Sequence, residues 1–591
     1  MAQGGPGGST INTYATYLID DAAKRPTANR NIVLWDQRGT LYSKPALMCP
    51  EVGEADLEMA KRHTGVAEAR STTFKAYKSC GARLATDVGD LSAFNSAENA
   101  NDIEALRIAL GYDAINFYGV SYGTELGQFL MRRHPEHLRS VILDAVVPLS
   151  YSLFTEPAFA KQRIGEKYLL GCAEQPTCDA AFPHLSSRYL ALIDRLNAQP
   201  VPVMVTVDET AASSIMQLLF PQTQKIILTG DLLEDAIYQS LYMDVHDVIP
   251  LMVDRADKGD YTYVSSLILP LLLFNKDMAD GMWVTVVCAE RGDTNPDAAV
   301  FPGILPRLVT STREDAHMLV AVCRDWKVEL LPRADLEPLS STIPTLMLSG
   351  DFDPITPPGY AASLLPQLPN GKHVIFPSGS HGQAVTSECT NRIIQAFLDT
   401  PLDAVDSSCV SGAVRNFTTS SDVIFLATVQ YMMAKSGIIG WLLPLLVQVP
   451  ALLCALFLLT AALVYPTGAL LRLIFRRPLA YAAGTAGRLS RAAPWLAVVA
   501  PLVILTFIIG IALAVRSAYL ADQNLIAMGA IPSRWRWLFP LPPALAVIAG
   551  LMTAAMIALW TRRQRSLSGR LYFTLLTLAA LIATVSLFWI A

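Results

Sequence analysis

The last 156 residues contain no lysine and a single acidic residue, Asp522, beside 12 arginines. The first 435 residues hold 50 acidic and 34 basic side chains. The net charge of −5 therefore hides an acidic front of about −16 and a basic tail of about +11, two physical environments in one chain. Charged residues are scarce overall, 16% against 52% hydrophobic, which argues against simple disorder and a wholly soluble single domain. The tail's arginines lie between apolar runs, so the usual basis for nucleic-acid binding is missing. Metal ligation is poorly supplied as well. His63, His134, His137, His184, His246, His317 and His373 show no ligand spacing, and no cysteine pair sits with zinc-like spacing beside a histidine pair.

What the tail does have is apolar length. The runs 438–465, 495–515, 541–560 and 571–590 each reach the roughly 20 residues needed to cross a hydrocarbon core of about 30 Å, with no charge in their interiors. Pro444 and Pro450 in the first are tolerated where neighbouring helices satisfy the freed backbone groups. Without interior ionisable groups a transporter or proton relay has no machinery, so the role expected is anchoring in the bilayer or association with an unknown membrane partner. Arg472, Arg476, Arg477, Arg488 and Arg491 fall between the first two runs, and Arg562, Arg563, Arg565 and Arg570 between the last two. The remaining loop carries Arg516, Arg534 and Arg536 with Asp522, a weaker bias. Short positive loops stay in the cytoplasm, which places everything before the first run outside.

Cysteine usage agrees with that side. Cys49, Cys80, Cys172, Cys178, Cys288, Cys323, Cys389 and Cys409 all lie in the front part, an even set suited to disulfides in an oxidising compartment. Order of appearance favours neighbour pairing, although sequence does not choose among the possible connectivities. Export of so large a front part requires a signal. The Ala-Gln-Gly-Gly-Pro-Gly-Gly stretch after Met1 has neither its charged region nor its apolar core, so an upstream segment is expected.

Short β-rich runs at 31–35, 115–118, 140–143, 345–348 and 373–376 alternate with helical patterns such as 100–110 and 388–398. Alternation of this kind predicts a mostly parallel sheet covered on both faces, with sites at the carboxyl ends of its strands. At one such end stands Gly119-Val120-Ser121-Tyr122-Gly123, between a strand and the helical run 124–133. Gly-x-Ser-x-Gly in this setting is a nucleophile elbow, where the glycines relieve crowding in a strained turn that exposes the serine. The following helix points its positive end at the site. Serine needs a base, and the order Ser, Asp, His is completed by Asp353 and His381, each in a loop after a strand. Asp351 is the alternative acid. Two backbone donors are expected for an oxyanion, from Tyr122 and from the glycine-rich loop 4–8, with Gly5 ahead of Gly4.

Five motifs, GGPGGS (4–9), WDQRGT (35–40), GVSYGTELG (119–127), DPITP (353–357) and GSHG (379–382), resemble the tripeptidyl aminopeptidase and proline iminopeptidase group of serine peptidases. The resemblance covers about the first 410 residues, and 342–399 looks like the TAP-like C-terminal segment of that family. It implies an α/β-hydrolase fold with a cap, and an aminopeptidase acting on peptides with free N-termini through Ser121, Asp353 and His381. The family's glycine loop begins with His where this chain has Gln3, and the strands before that loop have no counterpart here. The organisation expected is hydrolase core at 1–148, helical cap insertion at 149–341, TAP-like core at 342–412, linker at 413–437 and an α-helical transmembrane domain of about four spans at 438–591. The run 263–274 reads as cap core. An ammonium-binding acid is expected near the site, with Glu290 first and Glu234, Asp235 and Glu125 behind it. Asp36 and Arg38 read as a structural ion pair holding their turn. No metal or organic cofactor is called for. A carboxylesterase or lipase of the same fold and a non-catalytic membrane sensor are the rival readings.

Overall fold

Apolar side chains that alternate along the strands of a parallel sheet build the core of one compact unit. The computed structural model describes residues 1–591 except 21–29, 153, 208–221, 243–244, 266, 269–277, 385–386, 427–437, 477–484, 522–524, 527 and 591. Among the described residues the strands are β1 (Ile115–Val120), β2 (Leu138–Asp144), β3 (Val201–Val207), β4 (Gln222–Leu228), β5 (Thr345–Gly350), β6 (Gly371–Phe376), β7 (Val423–Phe425) and β8 (Ala530–Pro532). Two compact units result, Met1–Met204 with Lys225–Phe417, and Val205–Gln224 with Thr418–Ala591.

In the first unit a parallel sheet runs in the order β1-β2-β5-β6. Phe117, Val141, Leu143 and Met347 face Leu126, Phe129 and Leu130 of the helix Tyr122–Arg133. Their sequence neighbours Tyr118, Ile142, Leu346 and Leu348 face Ile393, Ile394 and Phe397 of the helix Glu388–Asp399. Period-2 side chains covered on both sides are what a parallel sheet between helices requires. Ala2 extends the sheet beyond β1. Its N–H donates to the Tyr118 carbonyl at 2.9 Å, and its carbonyl accepts from Val120 at 3.1 Å.

The run 31–35, expected as a strand, forms no ladder. Its Ile32 and Leu34 pack on the sheet, and the Met1 ammonium group donates to the Val33 carbonyl at 2.9 Å. A ladder needs several consecutive partners, and among the described residues the run makes this single backbone bond.

Between β2 and β5 the insertion is mainly helical, but β3 and β4 add a two-stranded sheet that the helical expectation lacked. Of the run 263–274, Tyr263, Val264, Leu267 and Ile268 are buried as expected of cap core, while Ser266 and 269–274 lie outside the described residues. The helix Asp280–Arg291 packs Met282, Val284, Val286 and Cys288 against Leu47, Cys49, Leu84 and Tyr122, so the insertion returns to the core before it ends.

The disulfides follow chain order: Cys49–Cys80, Cys172–Cys178, Cys288–Cys323 and Cys389–Cys409. Loop closure predicts unequal worth. Cys288–Cys323 closes a separation of 35 residues and Cys172–Cys178 one of 6, corresponding to about 4 and about 2 kcal/mol. The double variant Cys288→Ser with Cys323→Ser is therefore expected to lose roughly twice as much unfolding free energy as Cys172→Ser with Cys178→Ser, read from denaturant midpoints.

The second unit contains four helices long and apolar enough to cross a membrane, at Gln448–Ile474, Ala492–Leu520, Ser533–Thr561 and Leu567–Trp589. Their facing sides are rich in small residues, including Ala451, Ala455, Ala461, Ala493, Ala497, Ala500, Ala549 and Ala583. Small residues let membrane helices approach closely where no hydrophobic force drives them together. Arg477 and Asp522, used in the charge argument, lie outside the described residues. In this unit β7, ahead of the first helix, pairs antiparallel with β8, between the second and third.

Candidate active site

Ser121 sits where β1 ends and the helix Tyr122–Arg133 begins, at φ 57° and ψ −126°. A side-chain residue in that region is strained, and strain of this kind persists only where the surroundings over-determine it. Here they do. The Ser121 N–H donates to the Asp144 carbonyl at 2.9 Å, and the Ser121 carbonyl accepts from the Thr124 N–H at 2.8 Å and its hydroxyl at 2.6 Å. A Cβ at Gly119 would collide with the Gly123 carbonyl, so the turn closes only with glycine there. The glycine-rich loop comes just as close. A Cβ on Gly4 would stand 2.5 Å from Ser121 Cβ and 2.9 Å from its Oγ, and Gly5 follows with the Gly4 carbonyl accepting from the Gly8 N–H at 3.0 Å.

Asp353 follows β5 and is wholly buried. Its Oδ1 accepts the N–H groups of Ile355 at 2.8 Å and Thr356 at 2.7 Å, and its Oδ2 accepts the Thr356 hydroxyl at 2.7 Å. His381 follows β6, and its Nδ1 lies 2.9 Å from Asp353 Oδ2 and 3.1 Å from Oδ1. Burial by itself would lower the imidazolium pKa of His381, but the charge and hydrogen bond of Asp353, with Asp144 behind, outweigh it and hold the pKa above its ordinary value. The Tyr242 ring stands edge-on, its centroid 4.9 Å from that of His381.

The alternative acid, Asp351, is occupied elsewhere. It is ion-paired with Lys167 and, at 3.3 Å, with Arg163, both on the helix Glu156–Glu174. Arg163 also donates to the carbonyls of Asp351 at 2.7 Å and Asp353 at 3.2 Å, so a cap helix grips the acid loop. Sequence offered no sign of this contact, because it joins residues nearly 190 apart.

The acidic candidates separate by burial. Glu234 pairs with Arg307 at 2.6 Å and Asp235 with Lys161 at 3.1 Å. Glu125 and Glu290 are instead buried together beneath the elbow, 7% and 4% exposed. Glu290 accepts from the Ser96 hydroxyl, which also lies 2.7 Å from the Tyr122 hydroxyl, and Arg291 approaches Glu125 at 3.8 Å. Burial and the neighbouring Glu290 push Glu125 well above the usual carboxylate range, and burial raises Glu290 as well.

The turn at 36–38 is held differently from the expected internal ion pair. Arg38 pairs with Asp102 at 2.6 Å, while Asp36 accepts the Ser9 hydroxyl at 2.9 Å and so ties the glycine-rich loop in place. Cys49, Glu51 and Cys80 come within ligand distance of one another, but both sulfurs are spent in the disulfide and Glu51 pairs with Arg83 at 2.7 Å. Asp144, which closes β2, was not singled out from sequence. The available signal was an acid directly after the apolar run of a central strand.

Residues 1–181 match the family model described as alpha/beta hydrolase fold, and 310–409 the one described as TAP-like protein. Serine protease Hip1 of Mycobacterium tuberculosis is 25% identical over 394 residues, 59% of this chain and 75% of that protein. The tripeptidyl aminopeptidase of Streptomyces coelicolor is 30% identical over 153 residues, covering 24% and 27%. Carboxylesterase B of Mycobacterium tuberculosis is 30% identical over 244 residues, covering 38% and 46%. Taken with the strand-turn-helix at Ser121 and the parallel sheet, these matches show that the chain carries an α/β-hydrolase fold, with a segment at 310–409 similar to TAP-like proteins.

Proposed function

We propose that the chain is a membrane-tethered serine aminopeptidase working on the extracytoplasmic side on peptides with free N-termini. Ser121 Oγ attacks the scissile carbonyl carbon, and His381 accepts its proton on the ring nitrogen that does not face Asp353. The N–H groups of Tyr122 and Gly5 receive the oxyanion. His381 returns the proton to the leaving amine, and water activated by the same imidazole then releases the acyl group from Ser121. The carrying observation is the strained Ser121 turn, walled by Gly4, on the same end of the sheet as the Asp353–His381 pair.

The aminopeptidase part draws on the likeness to tripeptidyl aminopeptidase and on the Glu125–Glu290 pair beside the elbow. A substrate ammonium group set against that pair would favour the ionised form of both carboxyls. Sidedness draws on the arginine-rich loops, and is supported by the pairing of β7 with β8, which joins the segment before the first long apolar helix to the loop between the second and third.

Likeness to carboxylesterase B favours an esterase as the second reading. One experiment decides between them: the detergent-solubilised protein is offered a tripeptidyl arylamide with free amine, its acetyl-blocked twin and a short acyl ester. Cleavage of the free-amine substrate alone is the expected result, and ester cleavage without amide cleavage moves the assignment to an esterase. Glu290→Gln is expected to raise KM for the free-amine substrate at least tenfold with little change in kcat. An equal loss on the blocked substrate would remove Glu290 from ammonium binding.

A further inference from the structure

In the sheet order β1-β2-β5-β6, Ser121 follows β1 and His381 follows β6, with two strands between them. The histidine loop must therefore cross over the ends of β5 and β2 to serve the nucleophile, and something must hold it there. The residue at that crossing is Asp144, the last of β2, with no exposed surface.

Its two ends do different work. The Asp144 main-chain carbonyl accepts the Ser121 N–H at 2.9 Å. Its carboxylate accepts the N–H groups of Gln383, at 2.9 and 2.8 Å to the two oxygens, and of Ala384 at 2.8 Å, two and three residues beyond His381. Between His381 and Gln383, a Cβ on Gly382 would stand 3.2 Å from Cγ2 of Val120, the residue before Ser121. We infer that Asp144 is a positioning residue that couples nucleophile to base, its main chain fixing Ser121 and its side chain fixing the loop that carries His381. The inference rests on the hydrolase reading of Ser121 and His381, and adds to it a group that touches no substrate.

Donors to a buried carboxylate must be numerous for the charge to be tolerated. Besides the two amides, the Tyr118 hydroxyl donates at 2.8 Å, with the Tyr14 hydroxyl 3.4 Å behind it, and the charge of His381, when protonated, also favours the carboxylate. Burial still prevails over these donors and pushes the carboxyl up to about 6. Below that pH the neutral carboxyl is a weaker acceptor, so its hold on the Gln383 and Ala384 N–H groups loosens. Reactivity of Ser121 should thus fall twice with acidification, first as His381 protonates and again as Asp144 does.

The test follows phosphonylation of Ser121 by an alkyl fluorophosphonate in the full-length protein, from pH 5 to 9, for wild type, Asp144→Asn and Tyr118→Phe. Thermal unfolding of each is recorded in parallel. In wild type the logarithm of the rate is expected to rise with slope near 2 below about pH 6, near 1 from there until His381 is deprotonated, and then to level off. Asp144→Asn, whose amide opposes N–H with N–H, is expected to react about 100-fold more slowly at pH 8 and to rise with slope 1 only, without the steeper limb, before levelling off. Tyr118→Phe removes one donor and moves the break to higher pH. An Asp144→Asn protein that folds and reacts at the wild-type rate, with the break intact, overturns the inference. If that variant does not fold, an unmoved break in Tyr118→Phe overturns it instead. Wild type that reacts with no phosphonate sinks the hydrolase reading itself, and the coupling falls with it.

Discussion

Ser121→Ala is expected to lower kcat/KM by about 10⁵-fold while leaving the fold intact. The size follows from chemistry. Without Oγ no acyl intermediate forms, and only donors and binding remain to assist direct attack by water, which elsewhere leaves a residual of about 10³–10⁴ over the uncatalysed rate. The fold is spared because what holds position 121 at φ 57° is main chain, bonded to the Asp144 carbonyl and the Thr124 N–H, and alanine keeps both. Hydrolysis of the free-amine arylamide and a thermal melt on the same preparation check this. Retention of more than a hundredth of the activity in the folded variant would remove Ser121 from the nucleophile's role.

Asp353→Asn is the second large effect, about 10⁴-fold in kcat, with Asp351→Asn as its contrast at less than about tenfold. Asp353 receives three donors from its own turn and faces His381 Nδ1 at 2.9 Å. An amide there keeps the volume but lets its NH₂ meet the ring N–H, which favours the wrong tautomer of His381. Asp351 instead makes ion pairs with Arg163 and Lys167, about a third exposed on each side. Pairs of that exposure contribute about 1 kcal/mol or less, so its variant loses a little stability and keeps the reaction. Measuring kcat for both variants across pH 6–9 separates them. Equal losses would mean that the acid loop, and not one carboxylate, orients the imidazole.

His381 gives the pair its direction with pH. Its pKa is held above the ordinary histidine value by Asp353, so the base becomes available only as pH rises through that raised value. Removing the Asp353 charge lowers the value and moves the activity limb to lower pH while the plateau collapses.

Several features were legible in the residues alone because each depends on near neighbours. The glycines around Ser121 are read as a strained turn from five consecutive positions, and the strand runs from side chains two apart. The apolar lengths and arginine placement of the tail need no knowledge of the front part. Neighbour order of the cysteines matched the disulfides, since helices adjacent in the chain pack together here.

Other features were decided only in three dimensions. Sequence could not separate Asp351 from Asp353 by more than preference, because the choice is made by Arg163 and Lys167 on a cap helix far away in the chain. It read 31–35 as a strand, since side-chain pattern records the wish to be extended and not the presence of a partner. It grouped Glu125 with the cap acids, where the fold buries it against Glu290 and leaves Glu234 and Asp235 in surface ion pairs. It passed over Asp144, whose carboxylate matters only because parallel-strand order sends the histidine loop across the end of β2. Local pattern and covalent spacing thus determined which chemistry the chain can carry. Long-range packing decided which of several similar side chains is desolvated and paired, because charge and burial act through space and not along the backbone.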